Sequence, residues 1–174
     1  MTVEPRLELR RSPLAGRSDV REIPFLTMIN VRTTADTLLG VPLPAPNRVA
    51  MAGERAILWL GPDEYLAVAP AGDRVAELTA ESAESVVDVS ANRTTIELSG
   101  PHARDLLEHG MSIDLHPRAF GPGQCAQTLL ARAQVILRQV DSHPDSTEPT
   151  YHVLVRGSFA PYLADWLVDA SKET

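Results

Sequence analysis

The sequence predicts an α+β domain of antiparallel sheets with helices packed on one face. Three observations lead there. Short apolar runs rich in β-branched residues recur along most of the chain, divided by Gly, Pro and Asn turn signals. Three stretches have helical composition, and they follow groups of strands instead of alternating with single strands. The last of them, beginning at Ser158, repeats its apolar residues at helical intervals.

Phe25-Val31 (FLTMINV) reads as a strand, and Thr33-Thr34 offer an N-cap for a short helix around Ala35-Leu39. Val41-Asn47 (VPLPAPN) is a Pro-rich connection. Arg48-Met51, Arg55-Trp59 and Glu64-Ala69 read as strands, with turns at Ala52-Gly53 and Gly61-Pro62-Asp63. Gly72-Ser85 has helical composition, with Val75, Ala76 and Leu78 as its apolar positions. Val86-Ser90 and Arg93-Leu98 read as a strand pair turning near Ala91-Asn92.

A helix follows, capped by Ser99 or Gly100, with Pro101 in its first turn and Gly110 at the place of a left-handed C-terminal cap. Ala103, Leu106 and Leu107 form its apolar stripe. Met111-Gln124 is a loop carrying Asp114, His116, Arg118 and Phe120, with Asp114 and Arg118 placed so that they could pair across it. Ala126-Ala131 and Gln134-Val140 are strands with a bend near Arg132-Ala133. Asp141-Thr150 (DSHPDSTEPT) is a polar loop, and Tyr151-Arg156 is a strand. Ser158 is expected to cap the last helix, whose Phe159, Tyr162, Leu163, Trp166, Leu167 and Ala170 read as core.

A chain of 174 residues is long enough for one domain with its own core. Its formal charge of -7 argues against a nucleic-acid partner. Charge is uneven: residues 1–21 hold five Arg against Glu4, Glu8 and Asp19, a net of +2, which leaves -9 for the rest. The expected division is therefore an N-terminal arm over residues 1–22 and a single α+β domain over 23–174. The arm's Arg6, Arg10 and Arg11 are candidate interface residues. Neither a signal-peptide pattern nor an apolar run of bilayer length is present, so a cytoplasmic protein without membrane contact is expected.

Ser99, His102 and Asp105 lie close enough in sequence to invite comparison with a catalytic triad. Ser99 sits where a cap belongs, however, and no G-x-S-x-G elbow surrounds it. Gly121-Pro122-Gly123 has no helix after it, so it is no phosphate-binding loop. The five histidines have no metal-ligand spacing, and His102 and His109 lack a third partner. Cys125, the single cysteine, starts a strand without an adjacent Lys or His and reads as a half-buried apolar residue. From these residues alone no catalytic, cofactor or metal site is expected in this chain.

Four blocks add a resemblance. Leu58-Leu66 (LWLGPDEYL), Val87-Gly110 (VDVSANRTTIELSGPHARDLLEHG), Asp114-Leu137 (DLHPRAFGPGQCAQTLLARAQVIL) and Val155-Ala170 (VRGSFAPYLADWLVDA) resemble the gamma-subunit family of heterotetrameric sarcosine oxidase. Ser12-Pro13-Leu14 matches as well. The resemblance implies a fold similar to the folate-binding domain of the aminomethyltransferases. It implies a complex of alpha, beta, gamma and delta chains that demethylates sarcosine to glycine. The products would include H2O2 and either formaldehyde or 5,10-methylenetetrahydrofolate. FAD, FMN, NAD and tetrahydrofolate would sit on the large chains and zinc on the delta chain, leaving this chain a structural subunit docked mainly on alpha.

Under that resemblance the expected interface residues are Arg93, His116, Arg118 and Phe120, with Arg10 and Arg11 of the arm. The alternative is a stand-alone folate-binding one-carbon protein, with Asp88, Asp114 and Arg93 as candidate pterin and tail contacts. Gly123-Gln124-Cys125 resembles part of the K-G-C-Y-x-G-Q motif of folate-dependent iron-sulfur assembly proteins. The Lys and Tyr are missing and Cys follows Gln, which counts against a folate role.

Overall fold

The strands form where β-branched and apolar residues alternate or run together. In chain order they are β1 (Val20–Ile23), β2 (Thr27–Arg32), β3 (Thr37–Leu38), β4 (Val41–Pro42), β5 (Val49–Ala52), β6 (Arg55–Gly61) and β7 (Glu64–Ala69). Helix α1 (Val75–Thr79) precedes β8 (Ser85–Asp88) and β9 (Arg93–Ser99), and α2 (Ala103–Glu108) follows them. The chain closes with β10 (Cys125–Leu130), β11 (Ala133–Val140), β12 (Thr150–Arg156) and α3 (Ala160–Ala170). This computed structural model describes residues 12–79, 83–140 and 148–172; Arg6, Arg10, Arg11 and residues 141–147 of the polar loop lie outside them.

The described strands assemble into two five-stranded sheets and a small hairpin. Sheet one has the order β1-β9-β12-β11-β10, sheet two β5-β6-β7-β2-β8, and β3 pairs with β4. All pairs are antiparallel. Alternation along the strands then sorts the apolar side chains into three layers. Ile96, Leu98, Val135, Leu137 and Val153 point to one side of sheet one, where they pack with Leu106 and Leu107 of α2 and Leu163 and Leu167 of α3. Ile136 and Leu154 point to the other side, against Met28, Leu58 and Leu66 of sheet two. On the far side of sheet two, Ile29, Ile57 and Ala67 meet Leu38 of the hairpin and Val75 of α1.

The expectation of helices on one face is thus corrected. The sheets pack on each other, and helices occupy both outer faces. Fully burying one Leu or Ile contributes about 1.5–3 kcal/mol, against about 0–1 kcal/mol for an exposed ion pair such as Arg32–Asp63. The three apolar layers therefore dominate the stability.

Several local expectations change for physical reasons. Ala35-Leu39 forms no helix; Leu39 and Gly40, with φ of 53° and 78°, make the two-residue turn of the β3–β4 hairpin. A helix of five residues gains too little from its few hydrogen bonds to compete with that turn. The helical stretch expected over Gly72-Ser85 is confined, among the described residues, to α1, and Ser85 already belongs to β8. β8 and β9 are not paired with each other: β8 joins β2, whereas β9 joins β1 and β12, and the 3-10 turn Ser90–Asn92 carries the chain between sheets.

Ser99 and Ser158 do not cap α2 and α3, because neither helix has a side-chain cap hydrogen bond. Phe159 and Tyr162 are 43% and 40% exposed, so the core face of α3 is Leu163, Ala164 and Leu167. Gly110 is not left-handed. The expected division at residue 22 falls inside β1, and Leu14 and Val20 belong to the core.

Candidate functional site

Ser99 and His102 border the same small depression, but among the described residues no hydrogen bond joins them. Ser99 ends β9 and donates its backbone N–H to the Asp19 carbonyl at 2.9 Å. His102 Nδ1 lies 3.8 Å from Asp105 Oδ2, with both side chains more than half exposed. The two depressions bordering Ser99 have volumes of about 130 and 440 Å³. The larger is lined by Ser18, Asp19, Ser99, Gly100, Pro101, Glu148 and Thr150, hydroxyls and carboxylates without a cation for a developing oxyanion. Among the described residues no group of three His, Cys, Asp or Glu side chains is placed to hold a metal. None of the described helices is long and apolar enough to cross a membrane.

The most organised polar feature is a row across the inner face of sheet one. Register aligns Arg21, Glu97, His152 and Arg138 on four neighbouring strands, with Cys125 next on the edge strand. Arg21 Nε donates to Glu97 Oε1 at 2.6 Å, and Arg138 Nη2 donates to His152 Nδ1 at 3.0 Å. That leaves His152 Nε2 to carry the proton and donate to Glu97 Oε2 at 3.0 Å. Burial and the Arg138 charge push the His152 pKa down to about 4, so the ring is neutral at pH 7 and the Glu97 contact is a hydrogen bond, not an ion pair. Burial alone would raise the Glu97 carboxyl, but hydrogen bonds from Arg21 and His152 outweigh it and hold the group below its ordinary value. The row is chemically quiet and structurally specific.

Cys125 closes the row. Its thiol is buried against the Arg48 and Trp59 carbonyls, at 3.3 and 3.5 Å, and burial raises its pKa to about 11. We expect it to resist a disulfide-exchange reagent in the folded chain and to react fully in denaturant. Rapid labelling of the folded chain would contradict this burial.

Of the expected interface residues, His116 and Arg118 are exposed on the loop after α2. Asp114 and Arg118 do not pair with each other. Asp114 Oδ1 instead accepts the His116 N–H at 2.8 Å, and His116 Nδ1 accepts the Arg118 N–H at 3.2 Å. Phe120 is 5% exposed and packs in the layer beneath α2 and α3, so it is core and not a surface anchor. The loop turns back on itself through backbone bonds from Ala119 and Phe120 to the His116 carbonyl, which carries the ring inward.

Arg93 stands half-buried on β9. The candidate folate contacts do not make a cradle. Asp88 and Asp114 are both exposed and close local turns, Asp88 through the Ser90 N–H and hydroxyl, whereas a pterin-holding carboxylate belongs in an enclosed pocket.

Two features escaped the sequence reading: the polar row, and Arg156 opposite Arg93. Period-two alternation in Tyr151-Arg156 was the available signal, since it sets His152, Leu154 and Arg156 on one face.

Comparison with known proteins gives these positions a setting. Residues 29–173 match the model of the "Sarcosine oxidase, gamma subunit family". A sarcosine oxidase subunit gamma from Arthrobacter sp. is 40% identical over 95% of this chain and 91% of its own length. One from Corynebacterium sp. strain P-1 is 38% identical over 91% of this chain and 82% of its own. A chain in the solved heterotetrameric sarcosine oxidase from Corynebacterium sp. U-96, in complex with pyrrole 2-carboxylate, superposes with a TM-score of 0.75 at 32% identity. That superposition covers 95% of this chain and 96% of the other. Sequence and fold agree over nearly the full length, and the chain belongs to the sarcosine oxidase gamma subunit family.

Proposed function

We propose that this chain is the gamma subunit of a heterotetrameric sarcosine oxidase, a structural subunit bound to alpha, beta and delta chains and mainly to alpha. The observation that carries the reading is the near-complete superposition on a chain of such a heterotetramer. In this reading the complex works in the cytoplasm and demethylates sarcosine to glycine, yielding H2O2 and formaldehyde or 5,10-methylenetetrahydrofolate. FAD, FMN, NAD, tetrahydrofolate and zinc reside on the other subunits. The likeness to the aminomethyltransferase folate-binding domain is then one of architecture without a retained pocket. This chain contributes docking surface, with Arg93, His116 and Arg118 on its body and Arg10 and Arg11 ahead of it. A permanent interface of this kind commonly buries about 2,000 Å² or more.

The test is purification of the chain alone and with its partners. The isolated chain is expected to show no flavin absorbance and no peroxide release with sarcosine, and to co-elute with the alpha chain once the large subunits are added. Bound flavin or turnover without partners would sink the subunit reading. Failure to co-elute would put folate binding in front, to be read by titration with tetrahydrofolate.

A further inference from the structure

Register sets Arg93 of β9 directly opposite Arg156 of β12, the central strand of sheet one, at the end of their pairing. Like charges directly opposite each other destabilise a sheet. Arg93 is half-buried and Arg156 exposed: burial first, and the Arg156 charge second, pull Arg93 below the ordinary arginine value. Neither guanidinium has a hydrogen bond or ion pair among the described residues, although Arg17, Arg21, Arg32 and Arg55 each hold a carboxylate at 2.6–3.1 Å. Arg48, Arg118 and Arg132, exposed like Arg156, are not set opposite another arginine.

A chain of net charge -7 has acid to spare, yet among the described residues no carboxylate pairs with either arginine. Two carboxylates on neighbouring segments are committed elsewhere. Glu22 points to the opposite face of the sheet and accepts the Thr94 hydroxyl at 2.7 Å, and Asp88 is taken by Ser90. Two neighbours mark the same place as unfinished. Thr95, at the next inward-facing position of β9, is fully buried with its hydroxyl unpartnered. Phe25, two residues beyond the β1 residue that pairs with Thr95, adopts φ 61° and is 59% exposed. A bulky side chain in the left-handed region is an outlier, and here it leaves an aromatic ring in water.

We propose that Arg93 and Arg156 together clasp an Asp or Glu side chain of a partner subunit, with Phe25 packing beside it. The inference rests on the heterotetramer reading and names the chemistry of one contact within it. A carboxylate between two guanidiniums turns a repulsive pair into two charge-assisted hydrogen-bonded pairs, and arginine's planar fork suits a carboxylate better than a lysine would. Aromatic and arginine side chains are also the residues enriched at such interfaces.

The test is co-expression of the full chain with its alpha, beta and delta partners, followed by measurement of gamma-chain dissociation. Arg93→Gln and Arg156→Gln are each expected to weaken association about 10- to 100-fold, with less sensitivity to salt than the wild type. The double reversal R93E/R156E should abolish assembly, and exposed Arg32→Gln should leave it unchanged. Melting of the isolated Arg156→Gln chain should stay level or rise, because a repulsion has been removed.

Association of both Gln variants within about two-fold of wild type would overturn the proposal. So would a fall in the isolated chain's melting temperature that accounts for the lost assembly. So would stabilisation of the isolated chain by citrate through these arginines while assembly is untouched, which marks a small-anion site. A wild-type chain that does not assemble at all overturns the heterotetramer reading and this contact with it.

Discussion

Replacing Gly110 with alanine is expected to destabilise the protein by about 1–3 kcal/mol or more, although the change adds one methyl group. Gly110 follows α2, at the close approach of α2, α3 and the β10–β11 turn. A Cβ there would lie 2.6 and 2.7 Å from the Trp166 ring and 3.1 Å from the Ala131 nitrogen. That nitrogen donates to the Gly110 carbonyl at 2.9 Å, so the backbone has little freedom to retreat. The ring must move instead, and it is half-buried against the layer beneath α3. Trp166→Leu supplies the check. Thermal melts of the four chains in the cycle should show Gly110→Ala costing much less in the Trp166→Leu background than in wild type. Equal costs in both backgrounds would mean that the close approach is not what requires glycine.

The second large effect is a loss of stability in mild acid. His152 is neutral in the folded chain with a pKa of about 4, whereas the unfolded side chain titrates near its ordinary 6.5. Below pH 6.5 the unfolded state therefore binds the extra proton, and stability present above that pH falls as the solution is acidified toward about 4. The slope approaches 1.4 kcal/mol per pH unit, and the whole fall is about 3 kcal/mol. Glu97 acts in the same direction but lower, because its depressed carboxyl loses its contribution only below its ordinary 4.5. The interval from 6.5 to 4.5 thus belongs to His152, and the melting temperature should drop by about 5–10 °C across it. His152→Gln keeps a donor and an acceptor but no titrating ring, and should flatten that interval. A flat wild-type profile, or an unchanged slope in the variant, would contradict the neutral tautomer.

The strands were legible wherever alternation or a β-branched run was strong. Glu64–Ala69 forms over the expected bounds, and the segments at Arg55, Arg93 and Tyr151 shift at their ends by only a residue or two. Pairing was much less legible, since local pattern cannot say which strand lies beside which. Val86-Ser90 and Arg93-Leu98 look like a hairpin in sequence, but each strand finds a better-matched neighbour far away. Gly110 was singled out correctly for the wrong reason: a helix-end signal stood in for a contact with Trp166, more than fifty residues later. The same blindness to long-range contacts hid the burial of Phe120, because a Pro/Gly loop resembles solvent-exposed chain whether or not it folds back. Arg93 was picked out, but its partner Arg156 emerged only once the register was known.

The division of strands between the sheets has a consequence for biosynthesis. Sheet two draws only on β2 and β5–β8, a continuous run from residue 27 to 88, whereas β1 must wait for β9, with Arg21 and Glu97 separated by 76 positions. As the chain leaves the ribosome, sheet two has all its strands while β1 is still without a neighbour. Contacts of such long sequence separation are slow to form and leave strand edges open in the meantime. The first of the described strands to be translated cannot be docked until synthesis has passed the midpoint of the polypeptide.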